Sequence, residues 1–310
     1  MVSPVGEGRR TVVVAGSLNL DLRIAVDRLP RPGETVSALR PARTEIGGKG
    51  ANLAVAAGRL TADVVLLSTI GDDAGGEAAI RMLRDQPVHT RFEISRGSPT
   101  GQAVVTVDAK GENAIVVVPG ANREPLTRIP DDLLVRGNLL VQQLEEPIVV
   151  VADRAEEARR SGLLVVTNAS PAPEPSADLS RLLRATDVLI VNEIEATQLS
   201  AAAGTPFGAR GLRALGPEVV VVTRGGAGIE AASSRGDEFV AAFRAAPIDT
   251  TGAGDACAAG IVTGLAEGLP LTDCLILGAA AGAAAVGRAG TIASFGSRDE
   301  IDQVIAQSPR

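Results

Sequence analysis

The order of apolar runs predicts an α/β protein, a doubly wound, mainly parallel sheet flanked by helices with a small β-sheet added to it. Unbroken apolar runs such as Thr11–Ala15 (TVVVA) and Val64–Ser68 (VVLLS) read as strands covered on both faces. From residue 138 onward such runs alternate with helical stretches, the pattern of a parallel sheet with crossover helices. With 45% hydrophobic and 22% charged residues in 310, the chain can bury a substantial core.

In chain order, the first strand is followed by a helix at Lys49–Leu60, the strand VVLLS and a helix at Gly75–Arg84. Val88–Ile94, Gln102–Asp108 and Asn113–Val118 alternate more strongly and predict a sheet with one exposed face, with a turn at Lys110-Gly111. The second half gives strands at Leu139–Gln143, Leu163–Thr167, Val188–Val191 and Val219–Thr223. Helices are expected between them at Ile148–Arg160, Glu193–Ala201 and Gly208–Ala214. SPAPEPSADLS (170–180) reads as a loop, and Ile229–Ala232 with Phe239–Phe243 as a hairpin. Two small-residue helices, about 253–267 and 271–287, complete the core. The expectation is one domain over 1–310, its small extra sheet built from about 18–46 and 97–119.

Composition excludes several classes. A net charge of −7, with Phe the sole aromatic type, gives no footprint for nucleic acid. No apolar run reaches the length of a membrane span, and MVSPVGEGRR lacks a signal-peptide core, so a cytoplasmic location is expected. Cys257 and Cys274 lie in apolar stretches and read as buried reduced thiols. The single histidine, His89, excludes zinc sites that need two, and reads as structural or exposed at a strand start. Gly48-Lys49 is followed by Gly50, which is not a P-loop, and no GxGxxG follows the first strand, which disfavours a dinucleotide-dependent dehydrogenase.

Four clusters carry chemistry. In DTTGAGDAC (Asp249–Cys257), backbone N–H groups at a helix N-terminus converge on an anion, and Asp255 lies beside it. Asp255 can accept a proton from an attacking hydroxyl while the amides of Gly252, Ala253 and Gly254 stabilise charge on a transferring group; an N-capping aspartate behind a flexible turn fits the spacing equally. GGKGAN (47–52) reads as a polar-ligand clamp or a Gly-rich loop with a surface lysine. Asn19 and Asp21 alternate beyond the first strand, suiting sugar hydroxyls or a turn. Asn192 and Glu195 end a strand and suit Mg²⁺ through water, although acids in a helix first turn are the simpler reading.

Together, GGKGAN and DTTGAGDAC, with PTG (99–101), GEN (111–113), GAN (120–122), QLE (143–145), NEIEA (192–196) and TRGGAG (223–228) in order between them, resemble the ribokinase (PfkB) family of carbohydrate kinases over nearly the whole chain. The resemblance implies the ribokinase-like fold, with the small sheet as a lid that pairs subunits into a homodimer. It implies an ATP-dependent sugar kinase, with Asp255 as base and 252–254 as anion hole. SLNLD (17–21), PGET (32–35), GENAI (111–115) and LEEP (144–147) are closest to the family's namesake, which implies D-ribose as acceptor at O5. It further implies sugar contacts by Asn19, Asp21, Gly48, Lys49, Asn52 and Glu145, and a nucleotide site at Asn192, Thr223, Gly225, Gly228 and Gly254. Mg²⁺ is implied at Asn192 and Glu195, and K⁺ at Asp249, Thr251, Ala285, Arg288, Gly290 and Ser294. A kinase for another furanose or for a nucleoside stays open, as does a non-catalytic regulator that binds sugar or nucleotide.

Overall fold

The computed structural model describes residues 10–109 and 111–307; residues 1–9 and Lys110 of the expected turn lie outside this range. The strands are β1 (Thr11–Ala15), β2 (Asn19–Ala25), β3 (Arg43–Gly47), β4 (Asp63–Gly71), β5 (His89–Ser95), β6 (Gly101–Val107), β7 (Asn113–Val118), β8 (Leu139–Gln142), β9 (Leu164–Asn168), β10 (Val188–Asn192), β11 (Val219–Thr223), β12 (Ile229–Ser233) and β13 (Gly236–Val240). The helices are α1 (Lys49–Arg59), α2 (Ala74–Leu83), α3 (Ile148–Arg160), α4 (Ala177–Ala185), α5 (Glu193–Ala203), α6 (Ala209–Arg213), α7 (Ala253–Glu267), α8 (Leu271–Val286) and α9 (Arg298–Gln307).

A nine-stranded sheet runs in the order β13-β12-β11-β10-β9-β8-β1-β4-β5, all strands running the same way except β12, which pairs antiparallel with both β11 and β13. The unbroken apolar strands lie at its centre because helices cover both faces. Val12 and Val14 of β1 pack with α1 and α7, while Val13 and Ala15 pack against α3 and α4. The order reverses between β1 and β8, since β1 leads to β4 on one side and pairs β8 on the other. Such a switch point opens a crevice beyond the carboxyl ends of the strands.

A four-stranded sheet, β3-β2-β6-β7, stands apart. Of the three alternating segments, only β6 and β7 belong to it. His89–Ser95 instead pairs parallel with β4 over seven residues, from Val65↔His89 to Gly71↔Ser95, and closes the edge of the large sheet. His89 itself is exposed. Three other expectations are corrected. Part of SPAPEPSADLS is helical, because the Ser176 hydroxyl accepts the Leu179 N–H at 3.0 Å and starts α4. The second hairpin strand begins at Gly236 rather than Phe239, since Ser233 pairs with Gly236 across a tight turn. Helix α9, whose apolar residues are few and spaced, adds Ile301 to a cluster with Leu277 and Ala280 of α8.

Glu146, in the loop after β8, and Arg154 of α3 form a buried ion pair. Arg154 also donates to the Leu126 carbonyl at 3.0 Å. Removing one partner leaves the other charge buried and alone, at a cost of about 3–5 kcal/mol. Arg154→Leu is expected to lower unfolding stability by that order, measured by urea denaturation, whereas Arg128→Leu, at an exposed pair, is expected to change it by under about 1 kcal/mol.

Candidate active site

The crevice between β1 and β8 is bridged by one carboxylate. Glu145, just past β8, accepts from the Ser17 hydroxyl, just past β1. The same Oε2 accepts the Lys49 N–H at 2.8 Å. Helix α1 starts after Gly48, which offers no side chain to its orphan amides, so Glu145 caps the helix from across the crevice. Neither Ser17, 1% exposed, nor this capping role was read from sequence; a hydroxyl between two motif residues gave no separate signal.

Helix α1 carries Lys49 and Asn52 on adjoining positions of its first turn, and it packs against α7. Asn52 Nδ2 donates to Asp255 Oδ2 at 2.9 Å. Asp255 is 7% exposed and does not cap its helix; the cap position of α7 is Gly252, whose φ of +79° suits glycine. Burial pushes the Asp255 carboxyl above its ordinary value, and Glu145 and Glu195 add to this, against the lowering effects of Lys49 and Asn52. For Lys49 burial disfavours the charge, but Asp255, Glu145 and Glu195 outweigh it and raise its pKa. Asp255 is therefore a desolvated carboxyl group coupled electrostatically to Lys49.

The amides at the start of α7 are arranged differently from the expected 252–254 set. The Ala253 N–H turns onto the Thr250 carbonyl at 3.2 Å, while among the described residues those of Gly252, Gly254 and Asp255 have no protein acceptor. The free donors for an anion are thus Gly252, Gly254 and Asp255.

Asn19 and Asp21 are strand residues, not a turn, and lie on one face of β2. Asn122 fixes the first: its Nδ2 donates to Asn19 Oδ1 at 2.8 Å, and it clamps both backbone groups of Leu18. The GAN motif contained Asn122, but only the fold brings it 103 residues back to Asn19. Gly47 leaves the space for Asp21, since a Cβ there would lie 2.1 Å from its carboxylate. Burial, then Glu145, Glu45 and Asp255, raise the Asp21 carboxyl to about 7, with Arg23 opposing. Asp21 Oδ1 and Asn52 Oδ1 are both buried without a hydrogen-bond donor. Asp21, Glu145, Asn52, Lys49 and Asp255 thus converge as one polar cluster.

A second cleft, of about 540 Å³, lies beyond β10 and β11. Asn192, Thr223, Gly225 and Gly228 line one side, Gly254 its floor, and Phe243, Ala279 and Val286 an apolar wall that sequence motifs did not mark. Asn192 and Glu195 form a reciprocal capping box, Asn192 Oδ1 accepting the Glu195 N–H at 2.9 Å and Glu195 Oε2 the Asn192 N–H at 2.8 Å. Among the described residues Glu195 Oε1 accepts no hydrogen bond, so the pair would suit a hydrated Mg²⁺. Among the described residues no cluster of three or more His, Cys, Asp or Glu side chains could hold a metal alone. Cys257 and Cys274 are buried free thiols pushed up to about 12 by burial.

The residues expected to hold K⁺ come together, but do not fit a bare cation. Asp249 Oδ2 is engaged by the Arg23 guanidinium and by the Gly290 N–H at 3.0 Å, and Oδ1 by the Thr251 N–H at 3.0 Å. The Ser294 hydroxyl donates to the Thr291 carbonyl at 2.7 Å, and the Ala285 carbonyl accepts the Arg288 N–H at 3.2 Å. The Arg288 side chain pairs with Glu300. The Thr251 hydroxyl alone is buried without a partner. An alkali ion on Asp249 would meet the guanidinium at contact range, where like charges repel by roughly 4 kcal/mol at a protein-like dielectric.

Comparisons with known proteins agree with this arrangement. A profile of the pfkB family carbohydrate kinases matches residues 9–298. Ribokinase of Staphylococcus aureus (strain COL) is 32% identical over 306 residues, covering 94% of this chain and 99% of that protein. Deoxyribokinase of Salmonella typhi is 33% identical over 259 residues, covering 79% and 82%. The structure of Arabidopsis thaliana ribokinase complexed with ribose and ATP superposes with a TM-score of 0.82 at 31% identity, covering 97% of this chain and all of that one, 100%.

The raised Asp21 pKa has a stability consequence. The folded state holds this proton more tightly than the unfolded chain, so native stability is lost as pH rises from about 4 through about 7. The shift of about three units sets an upper bound of roughly 4 kcal/mol. Asp21→Asn is expected to raise the thermal midpoint at pH 8 by several degrees and to leave it nearly unchanged at pH 4, as read by circular dichroism.

Proposed function

Because this chain belongs to the pfkB family of carbohydrate kinases, we propose that it transfers the γ-phosphoryl group of ATP to O5 of D-ribose, giving ribose 5-phosphate and ADP. The observation that carries the sugar reading is the pair of orphan acceptors, Asp21 Oδ1 and Asn52 Oδ1, beside Glu145 and Asp255. Buried acceptors without donors call for a ligand rich in hydroxyl donors, and each left unpaired costs about 1–3 kcal/mol. An apolar or aromatic platform for a nucleoside base is absent from the side chains named around this cluster.

In the proposed reaction Asp255 takes the proton of the primary hydroxyl as its oxygen bonds to the γ-phosphorus. The bond to the β,γ-bridging oxygen breaks and ADP leaves. The Gly252, Gly254 and Asp255 N–H groups and the α7 dipole stabilise charge on the transferring group. Lys49 offsets the charge of Asp255, Glu145 and Glu195 toward an incoming phosphate. Asn19, held by Asn122, and Asp21 cover the sugar from the small sheet, with the backbone at Gly48 against it. ATP lies in the cleft lined by Asn192, Thr223, Gly225, Gly228 and Gly254. Mg²⁺ bound with ATP would be held through water at Asn192 and Glu195 and would supply charge neutralisation at the phosphates. No alkali ion enters this reading, because Asp249 is already paired.

The small sheet supports the expected homodimer. Leu22, Val104 and Val116 stand in register across β2, β6 and β7 and are 39%, 38% and 65% exposed, with Val118 beside them. A second copy of the chain is the proposed cover, with the small sheet acting as lid over the sugar. The segments that form it, about 18–46 and 97–119, are assigned to a single domain with the rest of the chain. A cytoplasmic location is part of the same reading, supported by the absence, among the described residues, of a helix long and apolar enough to cross a membrane.

Asp255→Asn is expected to lower kcat by about 10²–10⁴ with the thermal midpoint preserved, measured as ADP release. Ribose-selective turnover against deoxyribose, fructose, fructose 6-phosphate and nucleosides carries the substrate assignment; selectivity for another member replaces the sugar, and binding without turnover makes the chain a regulator. In the wild type the acid limb of kcat/KM should lie above the ordinary carboxylate range, because the protonated Asp255 cannot act as base. Val116→Asp is expected to convert a dimer to a monomer in sedimentation velocity.

A further inference from the structure

Arg23 lies two residues beyond Asp21 on the same face of β2, so one strand presents a sugar-side carboxylate and a guanidinium to the body of the protein. The guanidinium pairs with Asp249, and the pair is largely shielded, at 16% and 10% side-chain exposure. Asp249 in turn holds the N–H of Thr251, one residue before the anion-hole loop, and that of Gly290. An unpaired Asp249 would set a negative charge beside the loop that must receive a phosphoryl group. An arginine is permanently charged and presents a planar fork of donors, so it can neutralise that charge and fix the direction of the carboxylate together.

We propose that Arg23 is the resident cation of the 249–254 loop, a positioning residue that replaces an alkali ion and ties the small sheet to the anion hole. The proposal rests on the phosphotransfer reading above and deepens it. It has two consequences. Turnover of the wild type does not depend on which monovalent cation is present. Removal of the guanidinium exposes the Asp249 carboxylate, and with the Thr251 hydroxyl and the carbonyls of the 285–290 turn it then becomes a site that small cations can enter. A cavity of about 300 Å³, lined by Arg23, Arg43, Glu45, Gly290 and Ala293, adjoins the pair and gives such a cation a route.

The test compares wild type, Arg23→Ala and Arg23→Lys in potassium chloride, guanidinium chloride at low millimolar concentration, and tetramethylammonium chloride, all at equal ionic strength. Wild-type kcat is expected to agree within about twofold between potassium and tetramethylammonium. Arg23→Ala is expected to lose about tenfold or more in kcat in tetramethylammonium, with less effect on the sugar KM, and to regain a large part with guanidinium or potassium. Arg23→Lys should fall between. Thermal midpoints give a readout without turnover: potassium should raise that of Arg23→Ala relative to tetramethylammonium and leave that of the wild type unchanged. Strong potassium activation of the wild type, or an Arg23→Ala enzyme fully active in tetramethylammonium, overturns the proposal. If Arg23→Ala fails to fold, the wild-type cation response and Arg23→Lys still decide. If no protein turns over any sugar, the phosphotransfer reading fails, while the midpoints still report whether a cation enters at Asp249.

Discussion

The crowding of carboxylates around a single ammonium is the constraint on which the site depends. Asp21, Glu145, Glu195 and Asp255 all act electrostatically on Lys49 or on one another. Left in water these acids would be ionised and far apart. The fold buries them, and burial raises Asp21 and Asp255 together. A carboxylate with a raised pKa is a stronger proton acceptor, and Lys49 opposes the rise at Asp255. The base strength of Asp255 is therefore a property of the cluster rather than of the residue.

Three of these acids also have hydrogen-bonding tasks in the fold: Glu145, Glu195 and Asp255. Glu145 joins the ends of β1 and β8 and caps α1, so the crevice at the switch point and the helix that carries Lys49 and Asn52 are held by one side chain. Asn52 then reaches Asp255 at the start of α7, which sets this carboxyl group beside the free amides. The small sheet adds the remaining side. Its strand β2 places Asp21 in the cluster and Arg23 on Asp249, so a movement of that sheet would alter the polar cluster and the 249–254 loop at once.

Local pattern was a good guide wherever burial on both faces or helical spacing left one reading. The central strands and α3 follow directly from unbroken apolar runs and a 3.6-residue period. It failed where partners decided. Phe239–Phe243 reads as the second hairpin strand, yet pairing with β12 sets that strand at Gly236–Val240. Ser176 looked like part of a proline-rich loop, and only the helix behind it makes it a cap.

The sequence by itself determined the class of the fold, the family, and the identity of the residues that gather at the site, because two distant glycine-rich motifs and the apolar runs between them are statements about local backbone and burial. Tertiary structure decided what those residues do to one another. It gave Asn122 the task of holding Asn19, and placed Arg23 on the carboxylate where an alkali ion was expected. Spacing along a chain can name a donor or an acceptor. Whether that group is already satisfied depends on atoms 100 or more residues away, such as the 226 residues between Arg23 and Asp249, and only folding brings them within bonding distance.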